Sequence, residues 1–128
     1  MKKTPQQKWN DSIIMFRKKC QNILKVSQAI RYVGVINEYG RTLTGMIKPG
    51  IKPLLKSDEV KNEFFIISTL MTLRKAANTS LGKLDYVVLK HQNVSVIAFQ
   101  RGDETYYVSI SGKEKELNKI IPKIKKLI

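Results

Sequence analysis

The stretch Tyr32-Val-Gly-Val-Ile-Asn-Glu-Tyr-Gly-Arg-Thr-Leu-Thr-Gly45 decides how the rest of the chain is read. Val33, Val35 and Ile36 lie in an apolar run from Arg31 to Asn37, and Thr42 to Ile47 forms a second run. Branched and aromatic side chains fit a pleated surface, so both runs predict strands. Glu38, Tyr39 and Gly40 between them supply turn chemistry, and the pair predicts a β-hairpin. Gly34 and Gly45 interrupt the strands, which marks bulges or places where another group approaches the backbone closely. Lys48-Pro-Gly-Ile-Lys-Pro53 follows as a loop, because two prolines and a glycine exclude regular structure.

Helices flank this hairpin. Upstream, Thr4-Pro5-Gln6-Gln7 offers a capping residue, proline at the first helical position and a glutamine that completes a capping box. Trp9, Ile13, Phe16, Cys20 and Ile23 then recur at helical spacing, and the helix is expected to end near Ser27 or Gln28. Downstream, Ser57 is the expected cap of a second helix running to about Asn78 and stopping before Gly82, with Asp58 and Glu59 at its positive end. Val60, Phe64, Ile66, Ile67, Leu70, Met71, Leu73 and Ala77 cover about half its circumference, wider than an ordinary surface stripe. Phe65 widens it further. Val60, Phe64, Ile67 and Met71 are expected to face a sheet. The surplus is explained either by self-association or by burial under the first helix.

Three more strands are expected at Leu84–Lys90, Asn93–Gln100 and Thr105–Ser111, joined by short turns. The middle one alternates apolar residues on both sides, so both of its faces should be covered. Ser111-Gly-Lys-Glu114 reads as another capping box. Leu117, Ile120, Ile121, Ile124, Leu127 and Ile128 form the apolar stripe of a last helix, with a kink or a restart expected at Pro122. The order is α-β-β-α-β-β-β-α: an α+β chain of 128 residues, one domain, with a five-stranded antiparallel sheet and helices on both faces.

The formal net charge is +14. Residues 1–25 hold seven Lys and Arg against one acid, and residues 113–128 hold six against two, so the chain ends carry +10 of that charge. Such a balance attracts nucleic acid, anionic surfaces or acidic proteins, or it simply solvates helix faces. Lys8, Arg17, Lys18, Lys25, Lys115, Lys119, Lys123 and Lys126 are the candidate phosphate contacts. There is no zinc-finger spacing, helix-turn-helix signature or RNP-like aromatic run to read bases.

Catalytic chemistry is missing. Cys20 lies on an apolar stripe and the one histidine, His91, is expected in a turn, so no nucleophile has its base. No phosphate loop or GxGxxG fingerprint is present, and the ten acids are scattered. Neither a metal nor a cofactor is expected. A single cysteine excludes an internal disulfide and suggests a reducing, cytoplasmic setting; no apolar run approaches the roughly 20 residues of a membrane span.

With this element order, and most specifically with the hairpin Tyr32–Gly45, the chain resembles the roadblock/LC7 superfamily of profilin-like and longin-like domains. It is also similar to small proteins of ammonia-oxidising archaea that share the Arg-Tyr/Phe-Val-Gly-Val-Ile-Asn opening, a likeness that implies no activity. The roadblock resemblance implies a non-catalytic homodimer, paired through the long central helix and an adjacent sheet edge. Such a dimer serves as a platform for small GTPases or other regulatory partners. On this chain Phe65, Ile66, Leu70, Leu73 and Arg74 are the expected interface. Arg74 either extends past the helix end into solvent or holds an anion at that interface. The lysine-rich end helices are not a hallmark of the superfamily and point instead to a basic protein that associates with nucleic acid. A third alternative is a PAS-like small-ligand sensor, which requires a cavity.

Overall fold

The computed structural model describes residues 2–128. Helix α1 (Pro5–Leu24) leads into strands β1 (Ile30–Ile36) and β2 (Thr42–Ile47), then helix α2 (Ser57–Arg74). A 3₁₀ turn (Lys75–Ala77) and the short α3 (Asn78–Leu81) prolong α2, and Gly82, at φ 83°, ends it. Strands β3 (Tyr86–Lys90), β4 (Val94–Arg101) and β5 (Glu104–Ser111) precede α4 (Leu117–Lys125). The five strands form one sheet in the order β2-β1-β5-β4-β3, every neighbouring pair antiparallel.

The sheet separates two cores because successive side chains point to opposite faces. On one face Val33, Ile97, Phe99, Tyr106 and Val108 pack with Phe16, Cys20 and Ile23 of α1 and Ile120, Ile121 and Ile124 of α4. On the other, Ile36, Val96, Ala98 and Tyr107 pack with Phe64, Ile67 and Met71 of α2, and Val60 lies at the margin. The alternation along β4 is therefore covered on both sides, and α1 and α4 share a face.

The glycines of the opening stretch meet across the β1–β2 ladder, where Gly34 pairs with Gly45. The Tyr32 ring lies over both. A Cβ at either position would collide with the tyrosine hydroxyl and ring. The close approach expected at these glycines is thus made by a neighbouring side chain. At the hairpin tip Asn37 Oδ1 accepts from the Tyr39 and Arg41 amides (2.9 and 3.0 Å). Gly40, at φ 83°, brings that tip against the Phe64 backbone, where a Cβ would sit 2.9 Å from the carbonyl oxygen.

Several local expectations differ from what is found. The Thr4–Gln7 capping box forms reciprocally (2.8 and 3.1 Å), but α1 ends at Leu24, because the Ser27 hydroxyl accepts from the Ala29 amide in a tight turn before β1. Trp9 remains 55% exposed, whereas Phe16, Cys20 and Ile23 of the same stripe are buried. Lys56, not Ser57, is the cap of α2, and Glu59 accepts from its amide (2.9 Å). Ser111-Gly-Lys-Glu114 closes a turn, with the Glu114 amide donating to the Ser111 carbonyl (3.0 Å), and the helix starts only at Leu117. It continues through Pro122 to Lys125. Proline removes one backbone bond there, and burial of the isoleucines on either side holds the helix together.

The far end of α4 is fastened electrostatically. Asp85 accepts from Lys125 (2.6 Å) and from Arg101 (2.9 Å), each pair partly exposed. The Lys125 hydrogen bond is the main reason that the Asp85 carboxyl is held below its ordinary value of 3.8; Arg101 adds to it and partial desolvation opposes both. A depressed carboxyl stabilises the folded chain above its unfolded pKa and loses that contribution as pH falls through the folded one. Amide protection factors in α4 should therefore drop selectively below about pH 4, and Asp85→Asn should lower them at neutral pH and remove most of the acid step. Gly45→Val should cost about 1–3 kcal/mol in urea unfolding by displacing the Tyr32 ring. Most of that loss should vanish in a Tyr32→Leu background, a coupling that a double-mutant cycle measures.

Candidate functional site

Three surfaces stand out, two of which contain the site residues singled out from the sequence. The first is the outer side of α2. Phe64, Ile67 and Met71 use one side of this helix for the core, and the apolar residues that remain face outward. Phe65 is 60% exposed, Ile66 51% and Leu73 69%, while Leu70 is half-buried. Tyr39, at the hairpin tip, is 72% exposed beside them. A shallow groove of about 240 Å³ runs between the tip and the helix, lined by Tyr39, Phe65, Ser68, Thr69, Thr72 and Leu73. Arg74 sits exposed at the end of α2 and, among the described residues, forms no ion pair. The first helix does not cover this surface, since it lies across the sheet with α4.

The second surface is that pair of terminal helices. Lys8, Arg17 and Lys18 are exposed on α1 and Lys25 just beyond it. Lys119 and Lys123 are exposed on α4, with Lys115 before it and Lys126 after it. Lys119 pairs with Glu116 (3.1 Å), whereas the other seven form no ion pair among the described residues. The structure thus gathers both lysine-rich segments onto one side of the sheet.

The third was not foreseen. A cleft of about 640 Å³ opens between α2, the loop after β2 and the sheet. Tyr32, Val96 and Tyr107 line it from the sheet, Leu54 and Leu55 from the loop, and Glu63 from α2. The Tyr107 hydroxyl donates to Glu63 Oε2 at 2.9 Å. Burial, with the Glu63 charge behind it, pushes the Tyr107 phenol strongly upward, so this hydroxyl keeps its proton and remains a donor. Glu63 falls within the apolar arc of the second helix by sequence, three turns before Arg74. That placement was the one available signal, since pairing with Tyr107 spans 44 positions.

Cys20 and His91 stay far from forming a reactive pair. Cys20 is fully buried, and burial alone pushes its thiol up to about 11, the opposite of an activated nucleophile. His91 is exposed in the β3–β4 turn at the rim of the cleft. No cluster of three or more metal-ligating residues occurs among the described residues, and no helix there is long and apolar enough to cross a membrane.

A five-stranded antiparallel sheet with α2 on one face and the terminal helices on the other is a roadblock/LC7-like fold. The comparison with solved structures shows the same class. The chain is similar to the gliding protein MglB of Thermus thermophilus, with 13% identity, a TM-score of 0.71, and coverage of 90% of this chain and 84% of that one. It is similar to a roadblock/LC7 domain from Streptomyces avermitilis at 10% identity, TM-score 0.65, covering 86% and 88% of the two chains. MglC from Myxococcus xanthus superposes at 12% identity and TM-score 0.54, over 89% of this chain and 99% of that one. No family model matches the sequence, and no curated protein does.

Proposed function

We propose that this chain is a non-catalytic interaction module that pairs with a second copy through the outer face of α2 and offers a platform to a regulatory or small-GTPase-type partner in the cytoplasm. The observation that carries the reading is the apolar surface of Phe65, Ile66 and Leu73, left in water by a helix whose other side is already in the core. Contiguous exposed apolar area of this kind marks an interaction site in a soluble domain. A twofold contact would bury the same residues from both copies at once. Leu70 and Arg74 lie at the margins of that contact, where an arginine can serve the rim. A structure of MglB with a tetrameric arrangement, 12% identical to this chain, is consistent with self-association in this fold. The burial that pushes the Cys20 thiol up to about 11 supports the non-catalytic half.

A second reading is favoured by the joint placement of the lysines of α1 and α4, which makes one basic side. It assigns that side to nucleic-acid phosphates, held without base readout.

Light scattering at high micromolar concentration should give the mass of a dimer for the native chain. Phe65→Glu combined with Leu73→Glu should give a monomer with unchanged far-ultraviolet circular dichroism, because neither side chain supports the single chain's core. A strict monomer of the native protein would refute the pairing. For the basic side, affinity for mixed-sequence DNA should fall steeply with rising salt, and Lys18→Glu with Lys123→Glu should weaken it at low salt. No binding at low salt removes that reading.

A further inference from the structure

The cleft beneath the loop after β2 shares no lining residue with the proposed pairing surface, and its chemistry is different. Its volume, about 640 Å³, falls within the roughly 300–1,000 Å³ of small-molecule sites, which combine apolar walls with a few placed polar groups. Here the apolar walls are Val96, Phe64, Leu54 and Leu55, and the placed groups are Glu63 and Tyr107. Leu54 and Leu55 are exposed in a loop whose neighbours are prolines and lysines, so the cleft is open on that side.

Glu63 is the informative residue. The chain has 24 Lys and Arg for ten acids, so a carboxylate has every opportunity to find a cation. Yet Glu63 forms no ion pair among the described residues. One oxygen accepts from Tyr107, and the other receives no hydrogen bond there. Among the described residues the carboxylate is the only acid lining the cleft. A half-buried charge beside apolar walls gains most from a charged donor brought in with apolar bulk, because the pair then forms away from competing water. The cationic residues at the cleft are at its loop end. Arg31 donates to the Lys52 carbonyl at 2.8 Å and ties the loop to β1. It thereby frames the opening and leaves Glu63 uncompensated.

We infer that this cleft is a binding site for a small apolar molecule bearing an amine, its ring or chain against Phe64, Val96 and Leu54 and its ammonium on Glu63. The Tyr107 hydroxyl holds the carboxylate in place by donating to the oxygen that the ligand does not use. This site is independent of the pairing surface, since Phe65, Ile66 and Leu73 take no part in it.

The test is a titration of the ¹⁵N-labelled full chain with three probes of similar size: phenethylamine, phenylethanol and phenylpropionate. Phenethylamine should produce saturable shifts confined to the amides of Ile51, Glu63, Val96 and Ser109, and should bind more tightly than the alcohol. Glu63→Gln should weaken the amine about tenfold, the value of one charged hydrogen bond, and leave the alcohol unchanged. Ser109→Phe, which narrows the cleft from the sheet side, should abolish both and keeps the test decisive if Glu63→Gln does not fold. Phenylpropionate binding as tightly as the amine, amine shifts scattered outside the cleft, or unchanged binding in Ser109→Phe would each overturn the assignment.

Discussion

Gly34 and Gly45 face one another across the first hairpin, and the ring of Tyr32 lies in the space that their missing side chains leave. That arrangement controls one whole side of the molecule. Tyr32 stacks near Phe64 of α2, with centroids 6.2 Å apart, and Tyr107 of β5 meets both rings edge-on at 4.9–6.1 Å. Such geometries place a positive ring edge against a negative face and add to simple area burial. The cluster therefore joins the edge hairpin, the central strand and the long helix in one contact. Gly40 reinforces it by letting the hairpin tip rest on the helix backbone beside Phe64.

The rest of α2 follows from where Phe64 is anchored. With Phe64, Ile67 and Met71 turned to the sheet, helical geometry leaves Phe65, Ile66 and Leu73 no choice but to face away from it. The same anchoring points Glu63 at Tyr107 and opens the cleft between the first turns of the helix and the loop after β2. One rigid element thus has a core side, an outward apolar side and a polar-tipped cleft wall. None of the three can be moved without moving the others.

The opposite face is organised by charge as well as burial. The α1 and α4 helices cover Phe99, Tyr106 and Val108 with apolar stripes and turn their lysines outward. Like charges on adjacent helices repel, and in a chain of net charge +14 few acids are available to relieve that. Asp85 is used for two cations at once, tying Lys125 and Arg101 to the start of β3. Lys125 also lies 5.8 Å from the Tyr86 ring centre, so its stem and charge are both engaged.

The element order, the hairpin and the division of apolar residues along β4 were legible in the sequence because each rests on local periodicity or turn chemistry. The roadblock/LC7-like class was legible as a resemblance carried by that order and hairpin. The apolar surplus of Phe65, Ile66 and Leu73 was legible for the same reason, a periodicity wider than one stripe, but that it stays exposed was decided by the packing of α1 on the opposite face of the sheet. Local signals failed at two helix starts. Ser57 and Ser111 carry the right side chains for caps, yet α2 is capped at Lys56, and Ser111 closes a turn while α4 begins only after Glu116. What only the tertiary structure decided depends on residues far apart in the chain. Gly34 and Gly45 were marked for a close approach, but that Tyr32 makes it follows from strand pairing. The meeting of Glu63 with Tyr107, and the cleft they share, arises only when β5 is inserted beside β1 under α2. Periodicity tells which side of an element is apolar; the packing of non-neighbouring elements determines which polar group is left at the edge of that side, and what it faces.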